Sequence, residues 1–383
     1  MHRVYLSEIF PPTHGGSGRW LYELARRQPR DSTLAIVDRL ASGADELVDA
    51  DSWIRRIVFS LADTGGLSPR GVWGYWRLLR RIAAELPSQE NVVLHAARVL
   101  PEGWLAYLHS MRTGTPYHCY AHGEELNLQG SEDGGVMASR QHRWMARKVL
   151  CRAQGMIANS ENTRRILTEQ WNVPAGKITV LNPGVDTQTF CPSVRNLSVR
   201  YALGWNDAPV VLTVGRLQKR KGHDQMIRAL PEILSAIPKL KYAIAGDGEE
   251  RQALHALAAE TGVSTSICWH PKVSDSSLLQ MYQQCDLFAL PNRQIGSDVE
   301  GFGMVLLEAA ACGKATIAGR SGGTYEAIED GVTGRLVDAR SPHEIASATV
   351  QLLQDSTVKD SMGRAGRQRA KREFDWSVLA NRV

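Results

Sequence analysis

From Asp298 to Gly323 the chain reads D-V-E-G-F-G-M-V-L-L-E-A-A-A-C-G-K-A-T-I-A-G-R-S-G-G. Glu308 sits among Leu306, Leu307, Ala309, Ala310 and Ala311, in a run that otherwise reads as a buried helix. A carboxylate in such a place costs ~2–7 kcal/mol unless something hydrogen-bonds it. Two explanations are open. A ligand with hydroxyls, or a cation, meets Glu308; or an internal partner does, such as a helix N-terminus or a neighbouring Lys or Arg. Glu300, eight residues earlier, belongs to the same question. After the apolar run, Ala315–Ala318 reads as a short buried strand, and Gly322–Gly323 as the opening of another helix. Helix, strand and helix in succession are the alternation of a parallel α/β sheet.

That alternation extends through the chain. Strands are expected at Val4–Phe10, Thr33–Val37, Ile54–Phe59, Asn91–His95, Pro116–Ala121, Gly155–Ala158 and Ile178–Leu181. A second series falls at Pro209–Val214, Lys241–Ala245, Ser266–His270, Asp286–Leu290, Ala315–Ala318 and Gly334–Val337. Helical patterns fill the gaps, among them Ser17–Gln28, His223–Ile237, Arg251–Thr261 and Ser276–Gln284. The two series imply two doubly wound, Rossmann-like domains, and 383 residues are too many for one core. The polar, irregular stretch Val185–Val199 marks the boundary. It gives an N-terminal domain at 1–190, a C-terminal domain at 191–370 and a final segment at 371–383.

Composition narrows the class. Hydrophobic content of 43% with 22% charge describes an ordinary globular protein. The net charge of +5 suits phosphates, anionic lipid or nucleic acid without choosing among them. Six scattered Cys without a C-x-x-C argue for reduced thiols in a cytosol-like compartment, and against a zinc site. The N-terminus enters a strand at once, without a signal-peptide pattern. No apolar run approaches the ~18–20 residues of a membrane span.

In parallel sheets, ligands gather at the carboxyl ends of strands. Three Gly-bearing loops fall there. In Pro11–Trp20, Gly15, Gly16 and Gly18 permit close backbone approach, and the next helix offers free N–H groups to an anion; a plain turn explains them equally. In Val214–Asp224, V-G-R-L-Q-K-R-K-G-H-D, Arg216, Lys219, Arg220 and Lys221 crowd a strand end. A guanidinium and a lysine five residues on suit a diphosphate, and a solvated basic loop is the bland alternative. In Ala318–Glu326, Gly322 and Gly323 again expose N–H groups. No clean G-x-G-x-x-G follows the first strand, and no G-x-x-x-x-G-K-[ST] occurs. His122 ends the strand Y-H-C-Y-A-H, well placed for a ligand or for a structural role. His118 shares its face, but no third metal ligand accompanies them. Arg70–Ile82, R-G-V-W-G-Y-W-R-L-L-R-R-I, suits a membrane interface. It equally suits a helix with core aromatics and solvated arginines. No nucleic-acid recognition module accompanies it.

Taken in order, these motifs resemble the family-4 retaining glycosyltransferases of GT-B fold. The resemblance rests on the early G-G loop, H-G-E-E (122–125), N-S-E-N-T (159–163) and L-N-P-G-V-D (181–186). It continues through V-G-R-L-x-x-R-K-G (214–222), A-G-D-G (245–248), E-x7-E (300–308), G-G-T-Y-E (322–326) and F-D-W (374–376). The phrase D-V-E-G-F-G-x-V-x-L-E-A-A-A-C-G is most like the phosphatidylinositol mannosyltransferase branch. The resemblance implies two domains facing across a cleft that closes by hinge motion, with the final helix crossing back to the N-terminal domain. It implies transfer of a hexose from GDP-mannose or a UDP-hexose to a lipid or glycan hydroxyl, with retained anomeric configuration and no metal or cofactor. In it Gly215, Arg216 and Lys221 bind the diphosphate, Gly16 approaches it from the other domain, and Glu308 takes the ribose hydroxyls. Glu300 lies by the sugar with the N–H groups of Gly301, Phe302 and Gly303, His122 contacts the sugar, and the base sits near Val273. Location would be cytoplasmic, with peripheral contact at the inner membrane surface through Arg70–Ile82. A nucleotide-sugar epimerase of the same fold, or an inactive sugar-nucleotide-binding protein, are the competing readings; intact Arg216, Lys221, Glu300 and Glu308 favour the transferase.

Overall fold

The computed structural model describes residues 1–11, 16–38, 53–59, 66–87, 91–128, 136–296 and 298–382. The chain divides into two compact units, Met1–Asn182 together with the segment from Leu379 onward, and Pro183–Val378.

The first unit runs β1 (His2–Ser7), α1 (Gly16–Ala25), β2 (Thr33–Asp38), β3 (Ile54–Ile57), α2 (Pro69–Glu85), β4 (Val92–Ala96), α3 (Glu102–Thr113), β5 (Tyr117–Ala121), α4 (Arg140–Arg152), β6 (Gly155–Ala158), α5 (Glu161–Glu169) and β7 (Ile178–Val180). Its sheet has the order β3-β2-β1-β4-β5-β6-β7, parallel throughout.

The second unit runs α6 (Leu197–Ala202), β8 (Val210–Val214), α7 (His223–Ala236), β9 (Lys241–Ala245), α8 (Arg251–Glu260), β10 (Ile267–His270), α9 (Asp275–Gln284), β11 (Leu287–Leu290), α10 (Met304–Ala311), β12 (Thr316–Gly319), α11 (Thr324–Ala327), β13 (Gly334–Val337), α12 (Pro342–Gln354) and α13 (Ser356–Glu373). A last short helix, α14 (Trp376–Ala380), ends the chain. The second sheet has the order β10-β9-β8-β11-β12-β13, also parallel.

The second sheet is buried on both faces because its strands are apolar on both. All five residues of β8 are buried. By the period of two, Val211 joins one core cluster with Ile244, Ala289 and Ile317, while Val210, Leu212 and Val214 join the opposite one with Ala245, Phe288 and Leu290. Strand order reverses between β8 and β11 in this sheet, which is where a doubly wound fold opens a crevice for ligands.

The division between units falls at Asn182/Pro183, ahead of the expected 190/191. The cause is pairing between residues distant in sequence. Val185 N donates to Phe374 O at 2.8 Å. Thr187 N and Oγ1 both donate to Asp375 Oδ2. Residues 183–190 therefore pack on the end of α13, which stays in the second unit. Beyond it the segment from Leu379 onward groups with the first unit, where Gln28 Nε2 donates to Ala380 O at 3.1 Å.

Candidate active site

The loop after β8 turns through a 3₁₀ segment, Lys219–Lys221, into α7. Gly222 makes that turn with φ 77°, and a Cβ there would collide with the carbonyl of Pro291 beyond β11. Only glycine lets the two strand ends come this close. Arg293 N donates to Arg220 O at 2.8 Å, and the Arg293 guanidinium grips Asp224 by two bonds of 2.9 and 2.7 Å. The basic loop is thus fixed against the segment leading to Glu300.

Four charges meet there. Lys221 Nζ donates to Glu300 Oε2 at 2.6 Å, and Arg220 Nη1 donates to the same oxygen at 2.5 Å. The Nε of Arg220 pairs with Asp298 Oδ1 at 2.8 Å. Glu300 is 8% exposed. Burial pushes its pKa up, but Lys221 and then Arg220 outweigh burial and hold it below the ordinary value. Asp298 moves the other way: burial raises its pKa against the pull of Arg220. Two carboxylates and two cations balance, and outside that cluster the loop also carries Lys219 and Arg216. Arg216 is exposed, and no side chain pairs with it among the described residues. The stem of Lys221 lies beside Gly215, 3.7 Å from where a Cβ would stand.

Glu300 leads through Gly301, Phe302 and Gly303 into α10. Among the described residues no backbone carbonyl accepts from the N–H groups of these three. They immediately precede a helix, capped by Gly303, whose N-terminal dipole favours an anion. The Gly322–Gly323 loop lies directly against this stretch. Gly322 has φ 61°, a Cβ on it would strike Glu300 O, and Gly323 N donates to Glu300 O at 3.0 Å.

Glu308 is half-buried on α10, where the sequence suggested full burial. It also has an internal partner: the Tyr282 hydroxyl donates to Oε2 at 2.6 Å. Burial, and after it Glu308, push the Tyr282 hydroxyl well above its ordinary pKa. Val273 is half-buried in the turn after β10, just before Ser274 caps α9.

In the first unit, Gly16 opens α1 and is exposed, while residues 12–15 of its loop lie outside the described residues. His122 is buried, with Nε2 2.8 Å from Ala97 O and its ring 5.3 Å edge-on from Trp20. Burial lowers its pKa to about 4, so the ring is neutral and Nε2 donates. Among the described residues no group of three or more His, Cys, Asp or Glu is arranged to hold a metal. Arg220, Asp298 and Tyr282 were missed as individual residues. In the sequence Arg220 is one of four cations crowding a strand end, with nothing to pair it with Glu300, and no periodicity links Tyr282 in α9 to Glu308 in α10.

Comparison with known proteins defines the class. A family model described as Glycosyltransferase Family 4 matches residues 14–189, and one described as Glycosyl transferases group 1 matches residues 200–369. The chain belongs to the family-4 glycosyltransferases and has their GT-B fold. Among relatives is the GDP-mannose-dependent α-(1-6)-phosphatidylinositol monomannoside mannosyltransferase of Mycolicibacterium smegmatis, 39% identical over 215 residues, 55% of this chain and 56% of the relative. Another is the D-inositol 3-phosphate glycosyltransferase of Thermobispora bispora, 34% identical over 241 residues, 60% of this chain and 55% of the relative. The chain thus spans about half the length of the curated relatives it matches. Anabaena HepE in complex with UDP-glucose superposes with a TM-score of 0.80 at 21% identity, covering 100% of this chain and 98% of that one. Sucrose-phosphate synthase from Thermosynechococcus elongatus does so at 0.81 and 18%, covering 100% and 97%. These two likenesses bear on fold alone.

Proposed function

We propose that this chain is a retaining hexosyltransferase that moves mannose from GDP-mannose to a hydroxyl of a lipid-borne acceptor. One observation carries the reading. An uncommitted guanidinium, Arg216, and a lysine, Lys221, stand at the end of β8, and the lysine touches a buried carboxylate that leads into unbonded N–H groups at the start of α10. Cations and amides suit a diphosphate; carboxylates suit hydroxyls. Arg216 and Lys221 hold the diphosphate and stabilise its charge as the bond from sugar C1 to the leaving oxygen breaks. The acceptor oxygen bonds C1 from the same face and gives its proton to a diphosphate oxygen, which needs no metal. Glu300 and the Gly301–Gly303 amides orient the sugar, Glu308 binds the ribose, and the Val273 turn lies by the base. The GDP-mannose-dependent relatives favour mannose over a UDP-hexose.

An exposed face of α2 and α4 supports a lipid acceptor. On α2, Tyr75 is core, but Trp73 and Trp76 are 58% and 46% exposed, each with an arginine one turn on: Arg77 lies 5.0 Å from the Trp73 ring and Arg80 4.9 Å from that of Trp76. On α4, Trp144 is 49% exposed and Lys148 lies 5.7 Å from its ring. Leu67 N donates to Gln141 Oε1 at 3.0 Å, so the two helices start side by side. Indole rings with cations one turn away suit the headgroup layer of an anionic membrane. No described helix is long and apolar enough to cross a membrane.

The deciding test is thermal denaturation with GDP-mannose, UDP-glucose, UDP-N-acetylglucosamine and ADP-glucose, followed by a transfer assay. GDP-mannose at 100 times its Kd is expected to stabilise the fold by about 2.7 kcal/mol, and Lys221→Ala to remain folded while losing transfer ~10²–10³-fold. Stabilisation by a UDP-sugar alone overturns the choice of donor. Full activity in Lys221→Ala overturns the assignment.

A further inference from the structure

The pairing of Lys221 with Glu300 raises a problem that the proposed function has to solve. Lys221 is the cation meant for a diphosphate, yet its ammonium lies 2.6 Å from Glu300 Oε2. A donor that draws Lys221 toward its phosphates takes away one of the two charges that compensate a carboxylate only 8% exposed. An uncompensated carboxylate at that depth takes up a proton or moves toward water. Either change disorders the group meant to orient the sugar at the moment of transfer.

Arg220 is built to prevent this. Its side chain is 11% exposed and spans both carboxylates, Nη1 to Glu300 at 2.5 Å and Nε to Asp298 at 2.8 Å. Its own carbonyl is pinned by Arg293 N, and Arg293 is pinned by Asp224. Arg220 therefore cannot swing toward a ligand without breaking its contacts to both carboxylates, and its backbone is held in place by Arg293. Lys221 differs: Glu300 is its one carboxylate among the described residues, and its stem runs past half-buried Gly215, the residue after β8. Both cations share Oε2, and no described residue bonds Oε1.

Resting on the function proposed above, we propose that Arg220 is a positioning residue, which keeps Glu300 ionised and in place while Lys221 turns from Glu300 to the diphosphate of the donor. Arg220 is the static half of the pair and Lys221 the mobile half. A lysine at 220 supplies the charge but not the fork, so it cannot hold Glu300 and Asp298 together.

The test compares wild type, Arg220→Met and Arg220→Lys, each first shown to melt cooperatively. The carboxyl ¹³C signal of Glu300 is titrated without ligand and with saturating GDP. The charged groups acting on Glu300 are Lys221 and Arg220 from the basic loop and Asp298 from its own, with Glu249 acting on Asp298. In wild type GDP is expected to leave the titration of Glu300 low. In Arg220→Met it moves up by roughly one pH unit or more, and further with GDP than without. In transfer assays Arg220→Met should lose at least ~10-fold in kcat with a smaller change in KM, its acid limb shifted the same way. Arg220→Lys should restore the acid limb but not the turnover. The proposal is overturned if Glu300 titrates alike in wild type and Arg220→Met with and without GDP, or if activity falls only in step with melting temperature. The ligand-free titration needs no donor. A wild-type chain that transfers nothing therefore overturns the proposed function, while that titration still decides the role of Arg220.

Discussion

At the scale of single residues, Glu308 is a half-buried carboxylate with an internal partner. Tyr282 occupies one oxygen at 2.6 Å. The Tyr282 bond is compatible with the proposed ribose role, because it engages one oxygen of a half-buried carboxylate. If Glu308 binds two ribose hydroxyls, Glu308→Ala should weaken donor binding by about 1.5–3 kcal/mol, roughly 10- to 100-fold. Tyr282→Phe should cost less, about 1 kcal/mol, since the charge remains. Calorimetric titration with GDP-mannose measures both, and equal affinity in Glu308→Ala and wild type would remove the ribose role. Glu125 makes a pH prediction. Burial raises its pKa to about 8 from 4.5, with Arg98 opposing and Glu124 and Glu102 adding, and Oε1 is enclosed without a partner. A group with a raised folded-state pKa contributes stability below its ordinary value and loses it as pH rises through the folded one. Glu125→Gln should therefore melt increasingly above wild type between pH 4.5 and 8. His122 acts oppositely on the acid side but is common to both proteins, so it cancels in the difference.

At the scale of elements, α2 and α4 concentrate the basic character of the molecule. Between them they hold nine Arg and Lys against one carboxylate, Glu85, while the whole chain is only +5. The excess is local, so it reads as a surface with a purpose rather than as general solubility. Each cation near an anionic bilayer is worth about 1 kcal/mol, roughly fivefold in partition. Arg80→Glu with Arg81→Glu, and separately Lys148→Glu, should lower sedimentation with phosphatidylserine vesicles and leave binding to neutral vesicles low. Trp73→Ser with Trp76→Ser should lower it at high salt too, where the charge contribution is screened. Unchanged binding in all three variants would exclude this face. Sequence pattern could place the helix here but could not say which aromatics faced out. Tyr75 differs from Trp73 and Trp76 only in pointing at the first unit's core.

At the scale of the whole molecule, two sheets of matching strand order carry different parts of the proposed chemistry. Arg216, Lys221, Glu300 and Glu308 all belong to the unit Pro183–Val378, and their loops follow β8 and β11, where strand order reverses. Stabilisation by a nucleotide sugar should therefore register first as protection of this unit. The strands were legible from the chain because each is a short apolar run between turn residues, and all thirteen expected strands overlap observed ones. The boundary was less legible. Residues 183–190 look like linker, and only pairing with Phe374 and Asp375, nearly two hundred residues away, assigns them to the second unit.

The sequence by itself determined the parallel two-sheet architecture, the family, and the residue types gathered at the strand ends. Those follow from local periodicity and from spacing along one chain. The tertiary structure decided the pairings: that Lys221 rests on Glu300, that Arg220 is buried between two carboxylates instead of solvated, and that Tyr282 supports Glu308. Such pairings depend on which loops a sheet brings together, and a hydrogen bond across eighty residues leaves no periodic trace in the sequence.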